Sequence, residues 1–202
     1  MMNESKITGR ILLSSLICLF LLLSGCTAAT PVKDDRSRIG VISLKDNWKL
    51  IESKALEWHT DAYLKSAFLP LYVDNPKSVE KSIEAYFLSG SDKLNMLVVR
   101  LGNDGTLAKS VSALIFPSTT PPIKRSNWKI DSVDALASLL NEKDVEFLVA
   151  YPNTQCSGLY LERQTELNSK PVLWRLAVVD CGVSHYTRYD YMDPLTGKRI
   201  TK

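Results

Sequence analysis

The side chains of this 202-residue chain that most readily do covalent chemistry are four cysteines, and two histidines accompany them. Cys18 and Cys26 lie near the amino terminus, whereas Cys156 and Cys181 lie in the last quarter of the chain. A thiolate can act as a nucleophile, bind a metal or form a disulfide, and its surroundings decide which. The sequence around each cysteine is therefore the starting point for a functional interpretation.

Cys26 follows a segment with the properties of a secretory signal. Lys6 and Arg10 form a short basic region, and the almost wholly apolar run 11–23 comes after it. A membrane-spanning helix needs about 20 apolar residues, so this run is short for a span and typical of the apolar part of a signal peptide. The run ends in Leu23-Ser24-Gly25-Cys26, which resembles the lipobox of bacterial lipoproteins.

The lipobox resemblance implies that the Cys26 thiol carries a diacylglycerol and that the chain is cleaved just before it. Several acyl chains of the palmitate type, at about 0.8 kcal/mol for each buried methylene, would hold the mature protein firmly on a membrane. We therefore expect a lipid-anchored protein that faces the extracytoplasmic side of a bacterial cell membrane or outer membrane. The alternative is an ordinary cleaved signal peptide with an incidental cysteine.

If Cys26 is lipidated and Cys18 is removed with the signal peptide, Cys156 and Cys181 can form a disulfide only with each other within the chain. The midpoint between Cys156 and Cys181 falls at Asn168-Ser169, a predicted hairpin turn, and residues equidistant from a turn face each other across the strands. The compartment is oxidising. The sequence thus predicts a Cys156–Cys181 disulfide worth about 3 kcal/mol; two free thiols or a redox pair are the alternatives.

The remaining residue patterns point to no catalytic residue, metal or cofactor. His59 and His185 lack the spacing of metal ligands, and no Gly-x-Ser-x-Gly motif, phosphate loop or dinucleotide fingerprint occurs. The formal net charge of +3 falls to +2 when the signal is removed, and no basic run is present. Nucleic-acid binding therefore has no electrostatic basis in this sequence.

The elements that must position these residues follow from hydrophobic periodicity. In the first half, apolar residues from Trp48 to Leu69 recur mainly at steps of three and four, which predicts a helix that ends at Pro70. Three strand-like runs, at 82–89, 94–101 and 106–116, follow it. Gly90-Ser91-Asp92 and Asn103-Asp104-Gly105 separate these runs, and Asp-Gly is a strong hairpin signal.

The second half repeats this order. Asp131 is predicted to cap a helix whose apolar face contains Val133, Leu136, Ala137 and Leu140. Strand-like runs follow at 158–164, 172–179 and 184–192. We therefore predict an α+β fold of two tandem helix–three-strand antiparallel meander units that pack together; an α+β domain without duplication is the alternative. The predicted regions are a signal peptide (1–25), a flexible tether (26–38), a first unit (39–116), a proline-rich linker (117–127) and a second unit (128–202).

The second unit resembles the PepSY domain. The segments that carry the resemblance are Trp174-Arg175-Leu176-Ala177-Val178 and the run from Tyr189 to Lys198, which ends in Asp-Pro-Leu-Thr-Gly-Lys. The first unit lacks the terminal Asp-x-x-Thr-Gly. The resemblance implies an extracytoplasmic, non-catalytic unit that binds or inhibits a partner. Independently of the family, Asp193 to Lys198 has the composition of a turn that closes a strand.

A candidate binding face follows from the alternation of residues along the last strand. His185, Tyr189 and Tyr191 share one face of that strand, and Arg175 and Arg188 lie beside them. Exposed aromatic and arginine side chains favour a surface that binds a peptide or a glycan. The alternative is a core with ordinary tyrosines at its edge.

The sequence as a whole favours a membrane-anchored, non-catalytic module that binds or regulates an exported protein or envelope component. An edge strand could accept a strand of that partner. An envelope hydrolase with a site between the two units is the alternative, so the sequence leaves open whether the protein is an enzyme. A purely structural spacer is a third interpretation.

Overall fold

The computed structural model describes residues 35–75, 79–152, 156–164, 171–180 and 186–200, which belong to one compact unit. Three α-helices are present in this part of the chain: α1 (Leu44–Trp58), α2 (Ser132–Leu139) and α3 (Glu142–Ala150). The strands are β1 (Ile39–Gly40), β2 (Tyr63–Pro70), β3 (Tyr72–Val73), β4 (Ser82–Leu88), β5 (Asn95–Gly102), β6 (Leu107–Ala113), β7 (Gly158–Arg163), β8 (Val172–Val179), β9 (Thr187–Met192) and β10 (Arg199–Ile200).

Eight of the strands form a single sheet in the order β10-β9-β8-β7-β2-β4-β5-β6, and β1 pairs with β3 in a separate ribbon. Every neighbouring pair is antiparallel. The mixed α+β class and the antiparallel sheet are therefore confirmed. The strands β2 and β7 pair at the centre, and a meander of three further strands extends from each of them.

The helices cover one face of this sheet. Side chains at alternate positions of a strand point to opposite faces, and on β4 the buried residues Ile83, Ala85 and Phe87 alternate with residues that point the other way. The equivalent residues of the other strands join helix residues such as Ile51 and Leu139 in one hydrophobic core. We call this side the helix-covered face and the opposite side the open face.

The first helix is shorter than the sequence predicts. Ser43 caps α1 by accepting a hydrogen bond from the backbone N–H of Asp46 at 3.0 Å, and the helix ends at Trp58. The prediction that helix continues to Pro70 is wrong, because Tyr63–Pro70 is the central strand β2. This strand pairs with β4 on one side and β7 on the other, so long-range pairing overrides a local spacing that also suits a helix.

The second helical region also differs from its prediction. The buried side of α2 comprises Ser132, Ala135, Leu136 and Leu139, whereas Val133 is 48% exposed. A further helix, α3, follows directly. It begins at a capping box in which Asn141 and Asp144 exchange hydrogen bonds with each other's backbone N–H groups at 2.9 Å. The buried side of α2 is therefore shifted by about one residue from the predicted apolar face.

The residues at the start of α2 join it to α1. Asp131 occupies the predicted N-cap position, but its carboxylate accepts a hydrogen bond from the backbone N–H of Lys45 at 2.9 Å. The hydroxyl of Ser132 accepts from the N–H of Leu44 at 2.9 Å and donates to the carbonyl of Ile42 at 2.8 Å. The amino-terminal ends of the two helices are thus tied together across the sequence.

The predicted strands agree with the structure to within about three residues where it describes them, and the predicted turns at 168–170 and 180–182 lie wholly or largely outside the described residues. The strand β6 ends at Ala113, three residues before the end of the predicted run. The short strand β10 was not predicted. Gly105 and Gly197 have positive φ angles of 78° and 72°, as their turns require. Asp193 accepts hydrogen bonds from the N–H of Leu195 and the hydroxyl of Thr196, both at 2.8 Å, which confirms the predicted closing turn.

The predicted signal peptide, Cys26 and the predicted tether up to residue 34 lie outside the described residues, whereas the end of the tether and the linker form contacts in the structure. Asp35–Arg38, at the end of the predicted tether, form a turn of 3-10 helix. In the linker, Ile123 forms an isolated β-bridge with Leu64, and Arg163 donates to the carbonyl of Pro121 at 3.0 Å. In the part of the chain that the structure describes, no helix is long and apolar enough to cross a membrane.

Candidate functional site

A line of paired residues crosses the open face over six of the eight strands of the sheet. The strand registers place Arg100 opposite Glu84, Glu84 opposite Phe68, Phe68 opposite Tyr160, Tyr160 opposite Arg175, and Arg175 opposite Tyr191. We call these six residues, which come from six consecutive strands, the transverse row. Directly opposed side chains on one face of a sheet lie close enough to interact. The row is therefore a continuous strip of aromatic and charged groups.

The centre of the transverse row is a pair of stacked rings. The centroids of Phe68 and Tyr160 are 4.7 Å apart, with an angle of 30° between the ring planes. The ring of Phe68 also lies over Gly158, where an added Cβ would be 2.1 Å from the Phe68 ring. A glycine at this position thus creates the space in which the Phe68 ring lies flat on the sheet.

Arg175 extends this stack towards β9. Its guanidinium lies 4.1 Å from the centroid of Tyr160 and 5.7 Å from that of Tyr189, and it forms two hydrogen bonds to Glu162, at 2.6 and 3.1 Å. Burial disfavours the charged guanidinium, but the hydrogen bonds and charge of Glu162 outweigh this effect and raise the pKa of Arg175. Burial also raises the pKa of Tyr160. Arg175 is therefore held as a fixed cation on the ring.

The other end of the transverse row combines an ion pair with a cavity. Arg100 donates twice to one oxygen of Glu84, at 2.9 and 2.5 Å, and the hydroxyl of Tyr86 donates to the other oxygen at 2.8 Å. Burial and this hydrogen bond raise the pKa of Tyr86 to about 12. Beside the pair lies a cavity of about 300 Å³, lined by Phe68, Pro70, Val79, Glu80, Ser82, Glu84 and Arg100.

Three of the residues predicted for the binding face lie together on the open face. Arg175 and Tyr191 belong to the transverse row, and Tyr189, which is 51% exposed, lies one pleat away from Tyr191. His185 lies outside the described residues. The predicted grouping of Arg175 with the two tyrosines thus agrees with the structure.

Arg188 was placed on the wrong face by the prediction. It points to the helix-covered face, opposite Val178, and forms ion pairs with Asp144 of α3 and, at 2.6 Å, with Asp190. Asp144 has no exposed surface and also accepts a hydrogen bond from Tyr186 at 2.7 Å. An arginine beside two tyrosines in sequence must alternate with them in a strand, so Arg188 joins α3 to β9 instead of extending the binding face.

Cys156 lies just before β7 and is disulfide-bonded. Its predicted partner Cys181 lies outside the described residues, so the pairing stays a prediction. The observed register places Gly158 opposite Ala177, and its continuation puts Val179, not Cys181, opposite Cys156. The midpoint of the β7–β8 pairing is therefore displaced by one residue from the predicted one.

His59 belongs to a polar cluster at the hairpin between β4 and β5. Its Nδ1 lies 3.4 Å from the hydroxyl of Ser91, and its Nε2 lies 3.6 Å from the carboxylate of Asp92. The Ser91 hydroxyl, however, donates to Asp61 at 3.0 Å, and Asp61 also accepts from Ser89 at 2.5 Å. The hydrogen bond from Ser89 lowers the pKa of Asp61. The hydrogen bonds of this cluster therefore close the turn between β4 and β5.

Four residues of the transverse row were not predicted as site residues: Phe68, Tyr160, Glu84 and Arg100. The sequence contained a signal for Tyr160, because Leu159 and Leu161 alternate around it and are core residues. Phe68 had no such signal, since its segment was interpreted as helix. The described ranges contain no group of three or more His, Cys, Asp or Glu residues that could hold a metal ion.

Comparisons of the chain with protein-family models, with curated proteins and with solved structures found no match. The functional argument therefore depends on the residues and geometry of this chain.

Proposed function

We propose that this protein is a lipid-anchored, extracytoplasmic binding module of a bacterial cell envelope, and that its open face binds an exported protein. The lipid would be attached to Cys26, the last residue of the lipobox-like segment. The PepSY-like character of the second half supports a non-catalytic role of binding or restraint. The folded unit would then be held close to a membrane while its open face contacts the partner.

The observation that carries this proposal is the composition of the transverse row. Three aromatic residues and two arginines lie on one strip, and Tyr86 and Tyr189 flank it. Tyrosine and arginine are enriched among the residues that dominate binding energy in protein interfaces. Because the Phe68–Tyr160 stack and the Arg175–Glu162 pair fix these side chains beforehand, a partner would lose little side-chain entropy in ordering them.

The junction of the two halves argues against the hydrolase alternative. On the helix-covered face, Trp128 lies between Trp48 and Trp174, with edge-on ring contacts at 5.6 and 6.5 Å. In the same core, Leu69 of β2 and Leu159 of β7 pair with each other and have no exposed surface. A hydrolytic site needs converging polar groups that a substrate can reach. An apolar, sealed junction is instead what a structural core requires.

We further propose that the two halves derive from a duplicated unit. In each half, helical structure is followed by a four-strand meander, and β2 and β7 begin the two meanders and pair with each other in antiparallel orientation. Each unit would then contribute four strands to the large sheet, one more than the sequence predicts, because β2 and β10 were not anticipated. The proposed Cys156–Cys181 disulfide would close the β7–β8 hairpin of the second unit.

Lipid attachment is tested by growing the native bacterium with labelled palmitate. The wild-type chain should incorporate the label and sediment with membranes, whereas Cys26→Ser should do neither. An unlabelled wild-type protein would refute the anchor without affecting the proposal for the open face.

The binding role is tested by photo-crosslinking in the same cells. A photoreactive phenylalanine replaces Tyr189 on the open face or, as a control, Leu56, which is 46% exposed on α1. We expect one discrete protein adduct from position 189 and none from position 56. Phe68→Ala or Arg175→Ala, added to the position-189 probe, should reduce that adduct at least tenfold. An adduct that forms equally at both positions, or that ignores both substitutions, would contradict the proposal.

A further inference from the structure

The cavity beside the Arg100–Glu84 ion pair has a buried serine in its wall. Ser82 lines this cavity of about 300 Å³ and is only 9% exposed. Among the residues that the structure describes, none forms a hydrogen bond with the Ser82 hydroxyl. Buried polar side chains in native proteins are nearly always hydrogen-bonded. A hydroxyl that lacks a partner in the wall of an open cavity therefore indicates a place for a polar group that binds from outside.

The strand register leaves open space next to Ser82. Ser82 lies directly opposite Gly102, which has no side chain to fill its position on the open face. A Cβ at Gly102 would lie 2.9 Å from Oδ1 of Asp104 and 3.6 Å from Oε1 of Glu80. Directly opposed positions on one face of a sheet are about 5 Å apart. The carboxylates of Asp104 and Glu80 therefore approach the space that adjoins the Ser82 side chain.

Negative charge prevails around this cavity. Glu80 and Glu84 line it and Asp104 lies close to it, whereas Arg100 is the one cationic residue among the described residues of its lining. Arg100 already pairs with Glu84. Glu80, by contrast, forms no ion pair with another residue in the described ranges. Three carboxylates and one guanidinium leave an excess of negative charge, which attracts a cation.

The rest of the cavity wall is apolar. It consists of Phe68, Pro70 and Val79, and stacking on Tyr160 holds the Phe68 ring in place. Long basic side chains place their methylene groups along apolar surface and keep the charged end in a polar environment. An ammonium group near the face of an aromatic ring gains further stabilisation. The apolar wall and the acidic groups together match a side chain that has an apolar stem and a cationic end.

We propose that this cavity binds a lysine side chain of the exported partner. The inference rests on the proposed function of the open face and adds the chemistry of the group that the face recognises. A lysine ammonium has three N–H donors and no acceptor, and Glu80, Glu84 and the Ser82 hydroxyl offer three acceptors. Arginine matches less well, because its planar guanidinium has five donors and would lie beside Arg100. The carboxylates of Glu80 and Glu84 would repel an acidic side chain.

Nuclear magnetic resonance of the purified full-length chain in detergent tests this preference without the partner. The probe is N-acetyl-lysine methylamide, and the labelled methyl groups of Val79, in the cavity wall, report its binding. We expect these signals to shift saturably, and the norleucine analogue, which lacks the ammonium, to bind at least fivefold more weakly. Glu80→Gln should raise the dissociation constant of the lysine probe at least fivefold. Glu146→Gln, which removes an exposed carboxylate on α3, should leave it unchanged.

The photoreactive phenylalanine at position 189 supplies a second measurement, in which the partner takes part. Glu80→Gln should reduce its adduct at least threefold, and Glu146→Gln should not. An adduct that Glu80→Gln leaves unchanged or increases would overturn the inference and leave the proposed binding role intact. Equal affinity for the lysine and norleucine probes, or no saturable shift, would also overturn it. Saturable lysine binding without any adduct at position 189 would refute the binding role but support the preference of the cavity for lysine.

Discussion

At the scale of single residues, the position of Phe68 depends on the absence of a side chain at Gly158. The ring fills the space where a Cβ would lie and stacks on Tyr160. The open face is thus shaped by a glycine whose role concerns close packing and not a turn. Periodicity cannot reveal this role, because it requires knowing that β2 and β7 are neighbours.

A pair of substitutions tests this packing. Gly158→Ala should destabilise the protein by about 1–3 kcal/mol, because the added methyl group meets the Phe68 ring and, at 3.0 Å, the carbonyl of Leu69. In a Phe68→Ala background the same substitution should cost at least about 0.5 kcal/mol less. Urea unfolding of the four proteins measures this coupling. Equal costs in both backgrounds would show that the ring does not occupy this space in solution.

Because the pKa of the Tyr86 hydroxyl is raised, we expect the folded protein to lose stability at high pH. Burial and the hydrogen bond to Glu84 raise its pKa in the folded state to about 12, above the ordinary value of 10.0. The contribution of the Tyr86 phenol to the free energy of unfolding is fully present below about pH 10, where the phenol is neutral in both the folded and the unfolded chain. It is lost as the pH rises towards 12, because the unfolded chain then releases its proton more readily. Burial and the hydrogen bond to Asp144 likewise raise the pKa of Tyr186 to about 12.

Tyr86→Phe should therefore weaken the decline in unfolding free energy between pH 10 and pH 12. Urea titrations of wild-type and variant proteins at pH 9, 10, 11 and 12 measure the slope. An equally steep decline in Tyr86→Phe would mean that this phenol ionises as easily in the folded protein as in the unfolded chain.

At the scale of elements, the strands after each hairpin signal were predictable and β2 was not. Asp104-Gly105 and the alternating runs beside it contain their own turn chemistry and periodicity, so local sequence is sufficient. Residues 63–70 are stabilised as a strand by partners 16 and 90 positions away in the sequence, since Phe68 pairs with Glu84 and Leu69 with Leu159. Their local spacing suits helix and strand alike, so only the assembled sheet decides between them.

A buried ion pair, which the sequence pattern did not predict, joins the helix α3 to β9. Asp144 is fully buried and pairs with Arg188, whose side chain the alternation of β9 directs to the helix-covered face. Removal of the charge of Asp144 leaves Arg188 with Asp190 and takes away the carboxylate that is fully buried beside it. This ion pair is the specific link between the two elements.

Asp144→Asn should destabilise the protein by about 1.5–3 kcal/mol, because the Arg188 guanidinium loses its fully buried counter-charge and keeps its ion pair with Asp190. Asp134→Asn, on the exposed side of α2, should change stability by no more than about 0.5 kcal/mol. Chemical unfolding monitored by tryptophan fluorescence measures both variants. Similar values for the two substitutions would contradict a structural role for the pair.

At the scale of the whole molecule, one sheet has two chemically different faces. The helix-covered face contains the core and the three tryptophans in contact, whereas the open face carries the transverse row across six strands. The sequence indicated the α+β class and the grouping of Arg175 with Tyr189 and Tyr191. It could not indicate the rest of the row, because that alignment depends on the register of strands distant in sequence.

The proposed binding role of the open face is tested most directly by tyrosine nitration with mass-spectrometric readout. Tyr189 on the open face and Tyr151 at the end of α3 are 51% and 38% exposed in the isolated molecule, so both should react when the purified chain is treated. In native membranes, where a partner is present, we predict at least fivefold slower nitration of Tyr189 and an unchanged rate at Tyr151. Equal rates for Tyr189 in membranes and in the purified protein would contradict the account.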